Sequence, residues 1–576
     1  MRWTYDGEGN EIERVDPHGA ITRTEYRGFD MPAATVDATG ARTEYRYDTE
    51  QRLLSITNPA GLVWRYEYDA AGFLVGETDF DGRSTRYGRD ATGRMASRTN
   101  ALGQTITFVR DALGRVVERH AIQGVTTFGY DPAGREINRR VGALSLTQTW
   151  DAAHRLHTQA LTVPAPDNRA HLIQRRAYTY RADGAVTNVV DQIGGVRTYE
   201  LDQLGRATRV IAADVDERYD YDASGNVGGP TREHVGTLVR ASGLIRYEHD
   251  AQGRIVARHS RTLSGQRRTW RYGWNSDDQL VAVSTPDGVT WRYLYDPVGR
   301  RIAKLRLTAD NHVAERTDFC WDGTTMVEQA HSGGLTTTWD YQPGESVPLT
   351  QTERDATDQR FYAIVTDILG TPTELLDPNG RLAWRQATTL WGEQLAPHTP
   401  GAYCPLRFPG QYHDVETGQN YNLHRYYDPA AGSYASDDPL GADGGPNPHA
   451  YVPNPMDWSD PLGLTPCPKG RWKARADFSN KGTMSKKYDA HAADFGVTGN
   501  RNKANLAQFE DAMKNHMTDP DTKIYRFNYR GQGPAVGFIN PTNNKMVMLH
   551  TDGKFWSAFQ LGDKQFGYIV HKGFLS

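Results

Sequence analysis

The sequence predicts a mainly-β chain in which a long array of β-hairpins precedes a small α+β domain. Three observations predict it. A degenerate Tyr-x-Tyr-Asp-x-x-Gly-Arg phrase recurs about every 21 residues from the first line onward. Within each copy, apolar and charged residues alternate. The copies then give way to a C-terminal stretch of different composition and charge. A fixed period of this length marks a repeat architecture, in which each unit stacks on the next.

The Asp slot of the phrase falls at Asp6, Arg27, Asp48, Asp69, Asp90 and Asp111, each 21 residues apart. It continues at Asp131, Asp151, Arg181, Asp202, Asp222, Asp250, Asn275 and Asp296, with spacings of 20 to 30. In Val63-Trp64-Arg65-Tyr66-Glu67-Tyr68 the period-2 alternation is that of a strand with one buried face. Asp69-Ala70-Ala71-Gly72 then supplies a tight turn: Asp bonds back to the backbone and Gly accepts positive φ. The next strand starts with the Arg that follows, as in Gly114-Arg115-Val116-Val117. Each unit is therefore one hairpin of about 20 residues, and rows of Tyr bind successive hairpins into one sheet. Most Tyr and Asp of the array are structural on this reading, and the chemistry lies beyond it.

This phrase, over roughly residues 1–310, resembles the YD repeats of the rearrangement-hotspot (Rhs) family. The resemblance implies strands that spiral into a hollow β-shell, an Rhs cage, assigned to residues 1–330. Family shells are longer, and this chain opens in mid-pattern at Met1-Arg2-Trp3-Thr4-Tyr5-Asp6. A fragment, a displaced C-terminal cassette and a partial, open shell stay open as alternatives.

Composition narrows the classes. No apolar run approaches 18 residues, so no membrane-spanning helix is expected. The N-terminal residues lack the apolar core of a secretory signal, so export is expected to use a machine that does not read one. Cys320, Cys404 and Cys467 are far apart and odd in number, which indicates neither a disulfide framework nor a zinc site. The net charge of −4 hides an asymmetry: residues 465–576 hold 17 Lys and Arg against 9 Asp and Glu, about +8, and the rest is correspondingly acidic. A basic tail on an acidic body points to a polyanionic partner.

From Leu406 the text changes, through Asn422-Leu423-His424-Arg425-Tyr426-Tyr427-Asp428-Pro429 and Ser436-Asp437-Asp438-Pro439 to Asp460-Pro461-Leu462-Gly463-Leu464. This resembles the C-terminal core segment of Rhs proteins, assigned to residues 331–464 and ending in the family's DPxGL signature. The resemblance implies a self-cleaving aspartyl protease that cuts after Leu464 and leaves the downstream toxin inside the shell. Two carboxylates held close share a proton, so one acts as base on water while the other acts as acid. Asp460 matches the signature and Asp438 is the chosen partner, with adjacent Asp437 as understudy and Arg425 to orient or neutralise the pair. Asp-Pro-x-Gly is also a good turn sequence in its own right.

Residues 465–480 read as a linker. Beyond them Leu506, Phe509, Ala512 and Met513 form the apolar face of a helix that Asn502 or Asn505 caps. Residues 524–529, 535–539 and 546–550 read as strands, and Phe555 begins the last one. The box Lys486-Lys487-Tyr488-Asp489-Ala490-His491-Ala492-Ala493-Asp494-Phe495-Gly496 resembles the nuclease domain of colicin D, assigned to residues 481–576. That resemblance implies metal-free cleavage of a tRNA anticodon loop, of arginine tRNAs in that family. It places the catalytic His on His491, lysines on Lys486 and Lys487, and the Ser near the scissile phosphate on Ser557. Phe559 stands where the family has Trp, and the lysine-to-His spacing is one residue longer. Metal-free RNA cleavage needs a proton acceptor, a proton donor and cations at the phosphate, which His and Lys supply. Arg501, Lys503, Tyr525, Arg526, Tyr529, Arg530, Trp556 and Phe559 are the expected substrate-binding residues, since splayed loop nucleotides seat on aromatic and basic surfaces.

No cofactor or metal is implied: HExxH, CxxC pairs and a Walker loop are absent from the sequence. The resemblances imply an antibacterial toxin, made in the bacterial cytoplasm and acting in that of a target cell. Its implied partners are tRNA, a cognate immunity protein, and a secretion apparatus of the type VI class with a chaperone. The competing functions are a toxin of other chemistry (DNA cleavage or ADP-ribosylation) and a non-enzymatic adhesion or binding module on a repeat scaffold.

Overall fold

The computed structural model describes residues 2–15, 19–91, 93–122, 124–164, 170–213, 215–262, 264–296, 298–342, 345–395, 401–441, 447–464, 467–468, 478, 480–517, 522–529, 534–540, 543–550, 554–562, 565 and 574–575. From Arg2–Tyr5 to Val215–Arg218, 21 strands form one sheet, each antiparallel to its neighbour in sequence. A second sheet of 15 strands runs from Arg232–Val235 to Leu382–Arg385. The hairpin meander thus continues past the point where the phrase fades.

The repeat phrase explains the hairpin. At Asp111 the backbone N–H bonds the Arg115 carbonyl at 2.9 Å, and the Gly114 N–H bonds the Asp111 carbonyl at 2.9 Å. Asp111 Oδ1 accepts from the Leu113 and Arg115 N–H groups at 3.0 and 2.9 Å, and Arg115 Nε donates to Oδ2 at 2.8 Å. Gly114 has φ +83°, which a side chain would strain. The Arg115 guanidinium then lies 4.8 Å from the centroid of Tyr130, whose hydroxyl donates to the Val116 carbonyl at 2.9 Å. Asp makes the turn, and Arg and Tyr join one turn to the next hairpin.

The two sheets run alongside each other in the same order. Arg14 pairs with Asp277, Arg98 with Asp322 at 2.7 Å, Arg176 with Glu374 at 2.6 Å, and Arg197 donates to the Thr388 carbonyl at 3.3 Å. Leu144 and Leu161 pack with Ala363, Val365 and Leu376 in the same sense. One layer of hairpins therefore follows the other, as in a spiral.

A short four-stranded sheet of Tyr412–Asp414, Gln419–Asn422, Arg425–Asp428 and Ser433–Tyr434 fills the second sheet's inner side. Tyr412, Tyr421 and Tyr426 join Tyr293, Phe319 and Trp339 in one buried cluster. Arg301, wholly buried, donates to both Asp414 oxygens, and Lys304 reaches Asp414 at 3.3 Å and Glu416 at 3.1 Å. Burial works to raise the Asp414 carboxyl, but Arg301 and Lys304 outweigh it and hold it below the usual range. Buried charges of this kind persist only when fully paired.

The C-terminal region is α+β. A helix over Lys481–His491 leads through a 3-10 turn, Ala492–Phe495, to a second helix, Lys503–Met517. Asn502 caps the second helix, accepting from the Asn505 N–H at 2.9 Å. The sheet order is Phe555–Gln560, Lys545–His550, Pro534–Asn540, Lys523–Tyr529, Phe574–Leu575. Only the last pairing is parallel. Phe509 and Met513 pack on Val536, Phe538, Val547 and Leu549, as the helical face predicts. The first helix carries no apolar stripe in the sequence, since Met484 and Tyr488 alone are its buried residues. No helix among the described residues is long and apolar enough to cross a membrane.

Candidate active sites

At the junction, Arg425 gathers two carboxylates and the end of the DPLGL segment. Its Nη2 lies 3.0 Å from Asp438 Oδ2 and 3.2 Å from Asp460 Oδ2. The same nitrogen donates to the Leu464 carbonyl at 3.2 Å, and Arg425 Nε donates to the Gly463 carbonyl. Asp460 Oδ1 accepts from the Leu464 N–H at 3.0 Å, and Asn422 Nδ2 donates to the Asp460 carbonyl at 2.8 Å. A Cβ on Gly463, which has φ +68°, would run into the Asn422 carbonyl, so the signature's glycine lets the segment lie this close. Burial pushes the Asp438 carboxyl up to about 6, against the pull of Arg425 and with help from Asp460 and Asp437. Asp437 turns away: its Oδ1 is 3.2 Å from His449 Nε2, and it does not share the Arg425 pairing. Two carboxylates on one guanidinium that also reaches a peptide carbonyl are the equipment for amide hydrolysis.

In the C-terminal domain, His491 ends the first helix and is half-buried. Its Nδ1 lies 3.2 Å from Asp494 Oδ2, which also accepts from the Gln560 N–H at 3.4 Å. A carboxylate at Nδ1 orients the ring and leaves Nε2 for proton transfer. The His491 ring lies 5.6 Å, centroid to centroid, from that of Phe559. Ser557 is two residues from Phe559 on the same strand and so shares its face. The Ser557 hydroxyl is buried and has no hydrogen-bond partner among the described residues. The site thus offers a positioned imidazole and an uncommitted hydroxyl at a sheet edge.

The family model described as Teneurin YD-shell matches residues 138–444, more than half of the chain. The chain belongs to the YD-shell family. The RHS Repeat model matches residues 47–84 and 89–126, and the Colicin D model matches 483–569. This is an Rhs/YD-repeat chain that ends in a colicin D domain. It is 33% identical over 375 residues to "Probable deoxyribonuclease RhsA" of Dickeya dadantii, covering 62% of this chain and 26% of that protein. It is 30% identical over 379 residues to "Double-stranded DNA deaminase toxin A" of Burkholderia cenocepacia, covering 60% and 26%. The crystal structure of TcdB2-TccC3-TEV superposes with a TM-score of 0.59 at 18% identity, over 80% of this chain and 28% of that one, which establishes the fold. The chain spans about a quarter of the length of the curated relatives it matches. Those two relatives bear names of different chemistries, so a YD shell does not by itself fix an activity.

Within the colicin D domain, the helix sorts the expected lysines. At about 100° per residue, Lys487 and His491 sit one turn apart on one side, while Lys486 points well away from them. Lys486 is exposed and Lys487 half-buried. Arg501 pairs with Asp489 on another side of that helix, and Lys503 is exposed at the start of the second helix. Trp556 stacks on His550, with centroids 3.9 Å apart and planes within 6°. Arg530 and the side chains of Tyr525, Arg526 and Tyr529 lie outside the described residues. Sequence reasoning missed Asp494 and Tyr434. The three-residue spacing of His491 and Asp494 on consecutive helical turns was a readable signal; the contact of Tyr434 with Asp460 was not.

Proposed function

We propose that this chain is the carrier and warhead end of an antibacterial Rhs toxin, with a self-cleaving junction and a metal-independent ribonuclease. In the junction, Asp438 and Asp460 hydrolyse the Leu464–Thr465 peptide bond while Arg425 polarises the Leu464 carbonyl. In the colicin D domain, His491 moves the protons and Lys487, Lys486 and Ser557 bear the phosphate's charge. The substrate is a tRNA anticodon loop, arginine tRNAs being the first to test. The 2′-OH attacks the adjacent phosphorus, the 5′-oxygen leaves with a proton, and a 2′,3′-cyclic phosphate remains on the upstream fragment. The observation that carries this reading is the Colicin D match over 483–569, with His491 held on Asp494 against Phe559. The reading brings with it a cognate immunity protein, export through a type VI apparatus with a chaperone, and action in the target cytoplasm.

The test is expression of the chain in bacteria followed by sequencing of RNA ends. Growth arrest with one dominant cut in a tRNA loop, unaffected by EDTA in vitro, supports it. Cleavage of a substrate carrying deoxyribose at the cut site would exclude internal attack.

A further inference from the structure

Asp438 and Asp460 meet the same Arg425 nitrogen, yet their remaining partners differ. Asp460 Oδ2 accepts a hydrogen bond from the Tyr434 hydroxyl at 2.8 Å, and Oδ1 accepts from the Leu464 N–H at 3.0 Å. Asp438 accepts from the Leu440 N–H at 2.9 Å, and among the described residues no phenol is hydrogen-bonded to it. Tyr434 and Arg425 are 1% exposed, and Asp460 is wholly buried. Asn422 Nδ2 donates to the Tyr434 oxygen at 2.8 Å, which turns the phenol's own hydrogen toward Asp460. The Arg425 guanidinium lies 3.6 Å from the Tyr434 ring centroid, so one residue seats both the cation and the carboxylate. Its main chain is fixed too, since the Tyr434 N–H donates to the His449 carbonyl at 2.8 Å.

We infer that Tyr434 is a positioning residue that makes the carboxylate pair asymmetric, keeping the negative charge on Asp460 and the shared proton on Asp438. The inference rests on the self-cleavage reading. Hydrogen bonds to a charged carboxylate favour the charged form, and a coupled pair places its single proton on the partner with fewer of them. The assignment gives each acid one role. Ionised Asp460 takes a proton from the attacking water as its oxygen bonds to the Leu464 carbonyl carbon. Asp438 gives its proton to the carbonyl oxygen. On collapse the C–N bond breaks, the Thr465 nitrogen leaves as an amine with the proton Asp460 took, one hydroxyl of the diol returns its proton to Asp438, and Leu464 ends in a carboxyl group.

The groups facing this cluster agree with the assignment. Arg425 lies over the Tyr434 ring and Asp460 at its hydroxyl; Tyr427 and Tyr451 pack on the ring at 5.9 and 5.7 Å. Asp437 and His449 pair with each other beside Asp438, and burial depresses the His449 imidazole. Burial and the Asp460 charge hold the Tyr434 phenol well above its usual range, so it stays a neutral donor.

The experiment follows self-cleavage of the full chain after cell-free synthesis, chased at a series of pH values and read on denaturing gels. Removing a donor from the ionised acid raises the pair's lower titration. Tyr434→Phe should therefore move the acid limb of the rate profile up by about one to two pH units. Replacing Tyr434 by 3-fluorotyrosine, a stronger donor of nearly the same shape, should move it down. Tyr427→Phe removes a buried phenol that donates to the Trp391 carbonyl at 2.8 Å and should leave the limb in place. If the wild type cuts itself but the limb stays put in both Tyr434 variants, or moves equally in Tyr427→Phe, Tyr434 is merely structural and the inference is overturned. If the wild type stays intact at every pH, the self-cleavage reading fails and takes the asymmetry with it. The fluorotyrosine chain keeps the test decisive should Tyr434→Phe fail to fold.

Discussion

The two candidate sites differ in how their polar groups are held. At the junction, Asp460 and Arg425 are buried; the Tyr434 hydroxyl and the Leu440 and Leu464 N–H groups bond the carboxylates, and the Gly463, Pro448 and Leu464 carbonyls accept from the guanidinium. In the colicin D domain, His491 and Asp494 are each about one-third exposed and share one contact. On the proposed functions, the difference follows from where each substrate comes from. A group that acts once on its own chain needs no entrance, so the fold can bury it and use the stronger electrostatics of a water-poor interior. A group that acts on a separate macromolecule has to stay open, and must draw its orientation from fewer contacts. The candidate sites therefore look like opposite solutions to positioning a proton.

That contrast breaks most visibly if either junction acid is dispensable. Asp460→Asn and Asp438→Asn are each expected to leave one full-length chain on a denaturing gel, where the wild type gives two fragments. If the substrate is the chain itself, as proposed, the wild-type rate should not change with protein concentration. A rate that rises with concentration would mean that the site cuts other molecules and is not closed.

The next largest effect is at the open site. His491→Ala should lower tRNA cleavage by about 10² to 10⁴-fold, the usual worth of a general acid or base. The variant should keep the fold, because His491 sits at the helix end and half-exposed. Full activity in a folded His491→Ala chain would remove it from the mechanism.

Salt sharpens the comparison. Exposed charges are screened and buried pairs much less so. A substrate held by three exposed cations such as Lys486 and Lys503 loses about 20-fold in affinity between 50 and 200 mM salt, from a slope near −0.7 per phosphate. Self-cleavage should proceed at the same rate in both. Equal salt sensitivity of the two reactions would show that the junction pocket is solvated.

How much of this was legible in the sequence depends on the range of the contacts. The Asp111–Gly114–Arg115 turn was readable because its bonds close within four residues. So was the face of Leu506, Phe509 and Met513, which follows from helical spacing. The Asp438–Asp460 pairing came from a family resemblance, and the structure brings both acids to Arg425. Tyr434 stayed hidden because its contact with Asp460 spans 26 residues and is set by how the four-stranded sheet packs. Lys486 looked equivalent to Lys487 in the text, and only the helix Lys481–His491 separates them. That helix went unread because Asn480, accepting from the Thr483 N–H at 3.1 Å, is its main start signal and its apolar positions are few.

The smallest predicted effect is also the most discriminating, because it asks what a single contact is worth when it stays half in water. Asp494→Asn keeps an oxygen that can accept from His491 Nδ1, so the ring's orientation survives while the charge is lost. At the junction, losing one charge from a buried set is expected to stop self-cleavage. Here the pair is about one-third exposed, and such pairs contribute about 0.2–1 kcal/mol, so the rate should fall only about 1.4-fold to fivefold. The loss should appear in kcat with KM unchanged, since Asp494 touches the imidazole and not the RNA. Asp494→Ala, which removes the acceptor as well, should cost more than Asp494→Asn. If Asp494→Asn instead matches His491→Ala, the carboxylate takes part in the proton transfer itself. The open site would then work as a charged pair, and its resemblance to the junction would run deeper than its exposure suggests.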